Sequence, residues 1–236
     1  NISVDRCQFS LRYPLWHAQT FSLSHSVMDE LTRASIWYSS NGNISDSTIN
    51  GIKCLRECDT VHVSSCHIAS PEFGWKCQNI SVEHSEIESE YIFLDTKHLT
   101  MKMKGKYSFQ YTEDVHIKDS VLDTKDAFWH SKHVTVENSI VKGEYLGWFS
   151  DGLTLINCHI IGTQPLCYCK NLKLIHCTME GTDLSFEYSD VEADISSHIL
   201  SVKNPKSGTI TADSVGEIIW DDPVMPCQGK VIVRNR

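Results

Sequence analysis

Asp126–Val141 reads DAFWHSKHVTVENSIV, and Glu144–Ile160 reads EYLGWFSDGLTLINCHI. Each opens on an aromatic stretch that closes with a small residue, Ser131 or Ser150. An apolar-polar-apolar run follows, then Ser139 or Cys158, two places before another apolar residue. The two runs begin at Val134 and Leu153, 19 residues apart. One unit is written twice.

The unit is a start position, apolar residues at the next place and two further on, Ser or Cys three after that, and an apolar residue two later. It recurs at Asn1 (Ile2, Val4, Cys7, Phe9), Thr20, Asn41, Thr60 (Val61, Val63, Cys66, Ile68) and Asn79. It continues at His98, Asp114, His133, Gly152, Asn171 (Leu172, Leu174, Cys177, Met179) and Asp190. Nearly every step is 19 residues; that into Asn41 is two longer and that from His98 to Asp114 three shorter.

Helical arrays need longer units and a 3.6-residue apolar rhythm, whereas these units are short, β-branched and alternate with period two. Leucine-rich repeats need a Leu-x-x-Leu-x-Leu pattern that does not recur. What remains is an all-β, single-stranded parallel β-helix of about eleven rungs, with like positions stacked ~4.8 Å apart and a length of roughly 50 Å. The Ser/Cys position becomes an inward ladder at a corner. The regular region is expected over 1–195. Looser strands, a loop around DDPVMPCQGK and a last strand near Lys230–Arg234 form a C-terminal cap over 196–236. Asn1 already sits in a rung, so a cap at that end is expected from an upstream segment or a partner chain.

Composition agrees with a globular domain: 236 residues, 41% hydrophobic and 22% charged. A net charge of -9 and a pI near 5.7 remove the broad basic surface that nucleic acid requires. No apolar run reaches the ~20 residues that span a bilayer, and no signal peptide opens the sequence, so a soluble cytoplasmic protein is expected. The ten cysteines follow the repeat instead of pairing as loop closures, and are read as reduced core residues. Cys167 and Cys169 lack zinc spacing, so neither a metal nor a cofactor is expected.

YPLW at Tyr13, SIWYS at Ser35, DAFWHS at Asp126, GEYLGW at Gly143 and FEYSDVEADI at Phe186 together resemble a bacterial β-helix family known only as a domain of unknown function. The likeness covers most of the chain. It implies a right-handed, pectin-lyase-like parallel β-helix and no particular activity.

In such a fold, chemistry shows as rows. Four places before the unit starts stand Trp16, Trp37, Arg56, Trp75, Leu94, Gln110, Trp129, Trp148, Cys167 and Phe186, a row with five of the six tryptophans. It is either an aromatic stack in the core or an exposed strip for sugar rings. The row five places before the start (Leu15, Ile36, Leu55, Phe93, Phe109, Phe128, Leu166) is also apolar, so a corner lies here. Three places before it come His17, Tyr38, Glu57, Lys76, Asp95, Tyr111, His130, Phe149, Tyr168 and Glu187, a mixture that belongs in solvent. Glu57, Lys76 and Asp95 fall on consecutive rungs, the spacing of an inverting glycosidase's carboxylates or of a surface ion-pair ladder. Asp126 and Glu144 also stand on consecutive rungs, with Trp129, Trp148, Tyr145 and His130 nearby. Two close carboxylates can split into an acid and an ionised partner, or be solvated turn residues.

The histidines, such as His25, His84 and His176, read as scattered surface imidazoles, and Lys102, Lys104 and Lys106 as a basic patch for an acidic sugar or neighbouring acids. Nucleophile elbows, P-loops, dinucleotide motifs and the polygalacturonase signatures are all absent. Two functions follow. One binds or processes carbohydrate, with Asp126, Glu144 and His130 as acid-base groups and Trp129, Trp148, Tyr145, Trp75, Glu57, Lys76 and Asp95 holding an oligosaccharide. The other is a non-catalytic scaffold, with self-association through the ends of the solenoid.

Overall fold

The structure is a computed structural model that describes residues 1–105 and 109–234, with backbone alone at 99 and 101–105. Lys106 and the side chains of Lys102 and Lys104 therefore lie outside the described residues. The chain is a parallel β-solenoid with turns roughly 19 residues apart and no helix among the described residues. It divides into two compact units, Asn1–Ser120 and Val121–Arg236.

In the first unit the register follows the repeat: Ile2 pairs with Phe21, Gly42 with Val61, Val61 with Ile80, and Ile80 with Leu99. The irregular steps reappear as pairings of Phe21 with Gly42 and Leu99 with Val115. The two extra residues are absorbed by a bulge in the strand Val27–Arg33, where Leu31 is pushed out to 74% exposure and its amide is held by the Asp29 carboxylate. Inward positions are filled by Phe21, Leu23, Ile44, Val61, Val63, Ile80 and Val82, all buried.

In the second unit, Val121, Ile140 and His159 form one column and Thr135, Thr154 and Lys173 another. Parallel pairing continues beyond residue 195, where Asp190–Lys203 lies along Ser207–Ile219, and Thr209–Ala212 along Lys230–Val233. The pairing of Asp190–Lys203 with Ser207–Ile219 carries a register shift between Ile195 and His198.

The Ser/Cys rows explain the corners. A corner interrupts strand pairing and would orphan a backbone amide, which a small side chain on the next rung satisfies. Ser47 Oγ accepts from the Ser26 amide at 3.1 Å and donates to the Ser45 carbonyl at 2.7 Å. A second ladder, two places before the unit starts, works alike: Ser39 Oγ accepts from the Ala18 amide at 3.0 Å and donates to the Leu15 carbonyl at 2.9 Å. Cysteine substitutes for serine within these rows, and all ten cysteines are free thiols. Burial pushes the Cys54 thiol up to about 12 and Cys169 to about 11, which removes both from thiolate chemistry.

The remaining corner rows are left-handed backbone. Unit starts Thr20, Asn41, Thr60, Asn79, His133 and Asn171 have φ between 49° and 59°. Five places further on, His25, Asp46, Ser65, His84, Asn138, Asn157 and His176 have φ between 45° and 53°. Asn, Asp and His tolerate this region best among residues with a Cβ, so the histidine column marks a conformation. No group of three or more His, Cys, Asp or Glu among the described residues is placed to hold a metal.

Candidate binding surface at the aromatic corners

The two rows ahead of the unit starts divide cleanly. Leu15, Ile36, Leu55, Phe93 and Phe109 in the first unit, and Phe128, Leu166 and Phe186 in the second, are buried. One place along, Trp37, Trp75, Trp129 and Trp148 are half-buried, and Trp16 is 58% exposed. The tryptophan row therefore faces outward at a corner.

Its polar handle is used within the fold. The indole N–H of Trp75 donates to the Tyr91 carbonyl, that of Trp129 to Tyr145 and that of Trp148 to Gln164, at 2.7–2.8 Å. Each bond reaches 16 residues ahead and staples one rung to the next. In the second unit the Trp129 and Trp148 rings stack at 5.6 Å and 5°. Beside them His130 stacks on Phe149 at 5.0 Å, Phe149 on Tyr168 at 4.9 Å, and Tyr188 lies tilted against Tyr168 at 5.7 Å. Stacked rings spend their faces on one another and show edges to solvent. Tyr145 and Tyr168 meet Trp148 at steep angles, 69° and 66°.

The register corrects two alignments. The Tyr168 amide donates to Glu187, as Phe149 does to Cys167 and His130 to Trp148. Glu187 thus belongs to the tryptophan row, while Phe186 drops into the buried row; one extra residue in this rung causes the slip. Likewise the Asp126 amide donates to the Glu144 carbonyl, which aligns Asp126 with Tyr145 and Lys125 with Glu144. Asp126 and Glu144 lie on consecutive rungs but one place apart. Glu144 is exposed and pairs with Lys125 at 3.2 Å, and the Lys125 ammonium lies 5.2 Å from the Tyr145 ring centre. Burial holds the Asp126 carboxyl above the usual carboxylate range, Lys125 opposes that shift and Glu144 adds to it.

In the first unit Arg56 replaces a tryptophan. Its guanidinium sits 5.7 Å from the Trp37 ring centre and 5.4 Å from that of Trp75, filling the rung between them. The same guanidinium reaches Glu57 at 3.5 Å and Glu72 at 3.7 Å. Glu57, Lys76 and Asp95 do occupy successive rungs, since the Glu57 amide bonds to Trp75 and the Lys76 amide to Leu94. The Glu57 carboxylate is engaged by Arg56 instead of Lys76, and its proximity raises the Tyr38 phenol.

These features define a parallel β-solenoid with an outward aromatic corner on each unit. Within that class, the family model described as "Protein of unknown function (DUF3737)" matches residues 1–233, and the chain belongs to that family. No curated protein matches. Among solved structures, the catalytic domain of GH87 alpha-1,3-glucanase in complex with nigerose is 8% identical, with a TM-score of 0.40. Two variants of that domain with the same sugar score 0.39 and 0.41. Each match covers 98% of this chain, which spans 63% of the glucanase chains. A likeness that distant assigns no chemistry.

Proposed function

We propose that the aromatic corner of the 121–236 unit binds carbohydrate without cleaving it. The observation that carries this reading is the half-exposed aromatic ladder repeated on successive rungs and flanked by hydrogen-bonding rows. Lys125, Glu144, Thr163 and Asp183 stand on one side; Asp151 and Lys170, bridged in register, stand on the other. A glycan laid along the ladder packs its C–H surface against ring edges of Trp129, Trp148, Tyr145, His130 and Phe149 and finds donors and acceptors beside them. Each contact is weak, and affinity accumulates along the strip. Trp75, with Glu57, Lys76 and Asp95, gives the 1–120 unit a second surface of the same kind.

Binding is preferred to hydrolysis because Glu144 is neutralised by Lys125 and the register offsets it from Asp126. The raised Asp126 carboxyl favours a second reading, with Asp126 as general acid, Glu144 as its carboxylate partner and His130 assisting. One titration separates them. Neutral glycan oligosaccharides are added to the parent, Phe149→Ala and Asp126→Asn, with binding followed by calorimetry and products by chromatography. Saturable binding without cleavage is expected, weakened about tenfold in Phe149→Ala and unchanged in Asp126→Asn. Cleavage by the parent and not by Asp126→Asn replaces binding with processing. A parent that binds no glycan ends the carbohydrate reading.

A further inference from the structure

A recess in the second unit is lined in part by Gly152, the one unit start without a side chain. Unit starts elsewhere carry Thr, Asn, Asp or His, but rung 152 carries Gly152, at φ 73°. The recess, of about 420 Å³, is also lined by His133 on the rung before and Asn171 on the rung after. A Cβ at Gly152 would come within 3.2 Å of His133 Cδ2, so a side chain there would press on His133, which lines the recess. Phe149, 43% exposed in the aromatic ladder, is carried three residues earlier on the same rung.

Polar side chains stand at a lining that is more apolar than polar, with Leu172 and Val191 among its walls. The Asn171 amide donates to the Asp151 carboxylate at 2.8 Å, which fixes both side chains and leaves acceptor capacity on each. Asp190 and Glu192 add two further carboxylates against one ammonium, Lys173. Carboxylates accept pairs of hydrogen bonds from adjacent hydroxyls, and an amide and an ammonium donate to ring or hydroxyl oxygens. An acidic excess of this kind disfavours an anionic ligand.

We infer that the Gly152 recess is a subsite for one neutral hexose unit of the glycan that lies along the aromatic corner. The inference rests on the carbohydrate-binding reading and adds a location and a specificity. Vicinal hydroxyls donate to Asp151 and its neighbouring carboxylates, the hexose C–H surface faces the Phe149 side, and uronates are rejected by charge.

The test compares a neutral linear glucan oligosaccharide with an oligogalacturonate of equal length at low salt. The proteins are the parent, Gly152→Asn, Glu192→Lys and Phe149→Ala. Gly152→Asn places there the residue that Asn41, Asn79 and Asn171 carry in left-handed backbone, and urea titration measures the small cost of shifting His133, which a Cβ would approach to 3.2 Å. The parent should prefer the neutral sugar, and Gly152→Asn should weaken that binding about tenfold. Glu192→Lys, on an exposed strand position, should raise uronate affinity relative to neutral sugar and does not depend on Gly152 folding behaviour. Neutral binding that survives Gly152→Asn but not Phe149→Ala overturns the recess and leaves the aromatic surface standing. Tighter uronate than neutral binding by the parent overturns the assigned specificity. A parent that binds neither sugar removes both the recess and the carbohydrate reading.

Discussion

Phe128→Ala should destabilise the 121–236 unit by about 4 kcal/mol, whereas His130→Ala, two residues on, should change stability by no more than about 0.5 kcal/mol. Phe128 is 1% exposed and stands in the buried row with Leu166 and Phe186. His130 is exposed in the outer ladder. Deleting the phenyl ring removes its transfer free energy and opens a cavity that stacked rungs cannot collapse, because each is fixed by ladder hydrogen bonds above and below. Urea titration with an unchanged slope measures both changes. Equal effects at the two positions would show that the inward and outward rows are misassigned.

Gly162→Ala should cost about 3 kcal/mol or more, and Gly181→Ala roughly 1 kcal/mol. The two glycines are 19 residues apart at the end of the same strand column. At Gly162, φ is 129° and a Cβ would lie 2.0 Å from the Gly143 carbonyl oxygen, so two rungs would have to part. At Gly181, φ is 63° and nothing lies within 4 Å, so alanine meets only the intrinsic cost of left-handed backbone. Thermal and urea unfolding of both variants give the comparison. A Gly162→Ala protein as stable as Gly181→Ala would contradict the close approach of rungs 143 and 162.

The solenoid is legible in the sequence because its core obeys one rule on every turn. Val61, Val63 and Ile68 stack directly on Ile80, Val82 and Ile87, so the same residue types recur at the same distances. Even the long step into Asn41 is visible, because the two extra residues displace the pattern as a block. The aromatic corners are harder. In Asp126–His130, residues 126, 128 and 130 all have positive φ, a local geometry that neither period two nor period 3.6 describes. Counting from the unit starts therefore slips by one place at such corners, where Asp126 aligns with Tyr145 and Phe186 with Leu166. The role of the indole N–H groups is also invisible in the sequence, because their acceptors are backbone carbonyls that every residue carries.

The Ser and Cys rows were readable as inward and small, while their purpose needed coordinates. A hydroxyl that accepts from one rung and donates within its own is a corner fitting, and the Cys77 thiol does the same, accepting from the Cys58 amide and donating to the Trp75 carbonyl. The histidine column had a cause that composition does not reveal: His25, His84 and His176 occupy the left-handed position that Asn138 and Asn157 fill on other rungs.

The most direct measurement of the stacked-corner account is the set of nuclear Overhauser contacts made by the tryptophan indole protons. The Trp129 indole proton should contact the Tyr145–Leu146 peptide and the Trp148 indole proton the Gln164–Pro165 peptide, with both protons slow to exchange. Fast-exchanging indole protons, or the lack of contacts to the residues 16 and 17 places ahead, would contradict the account.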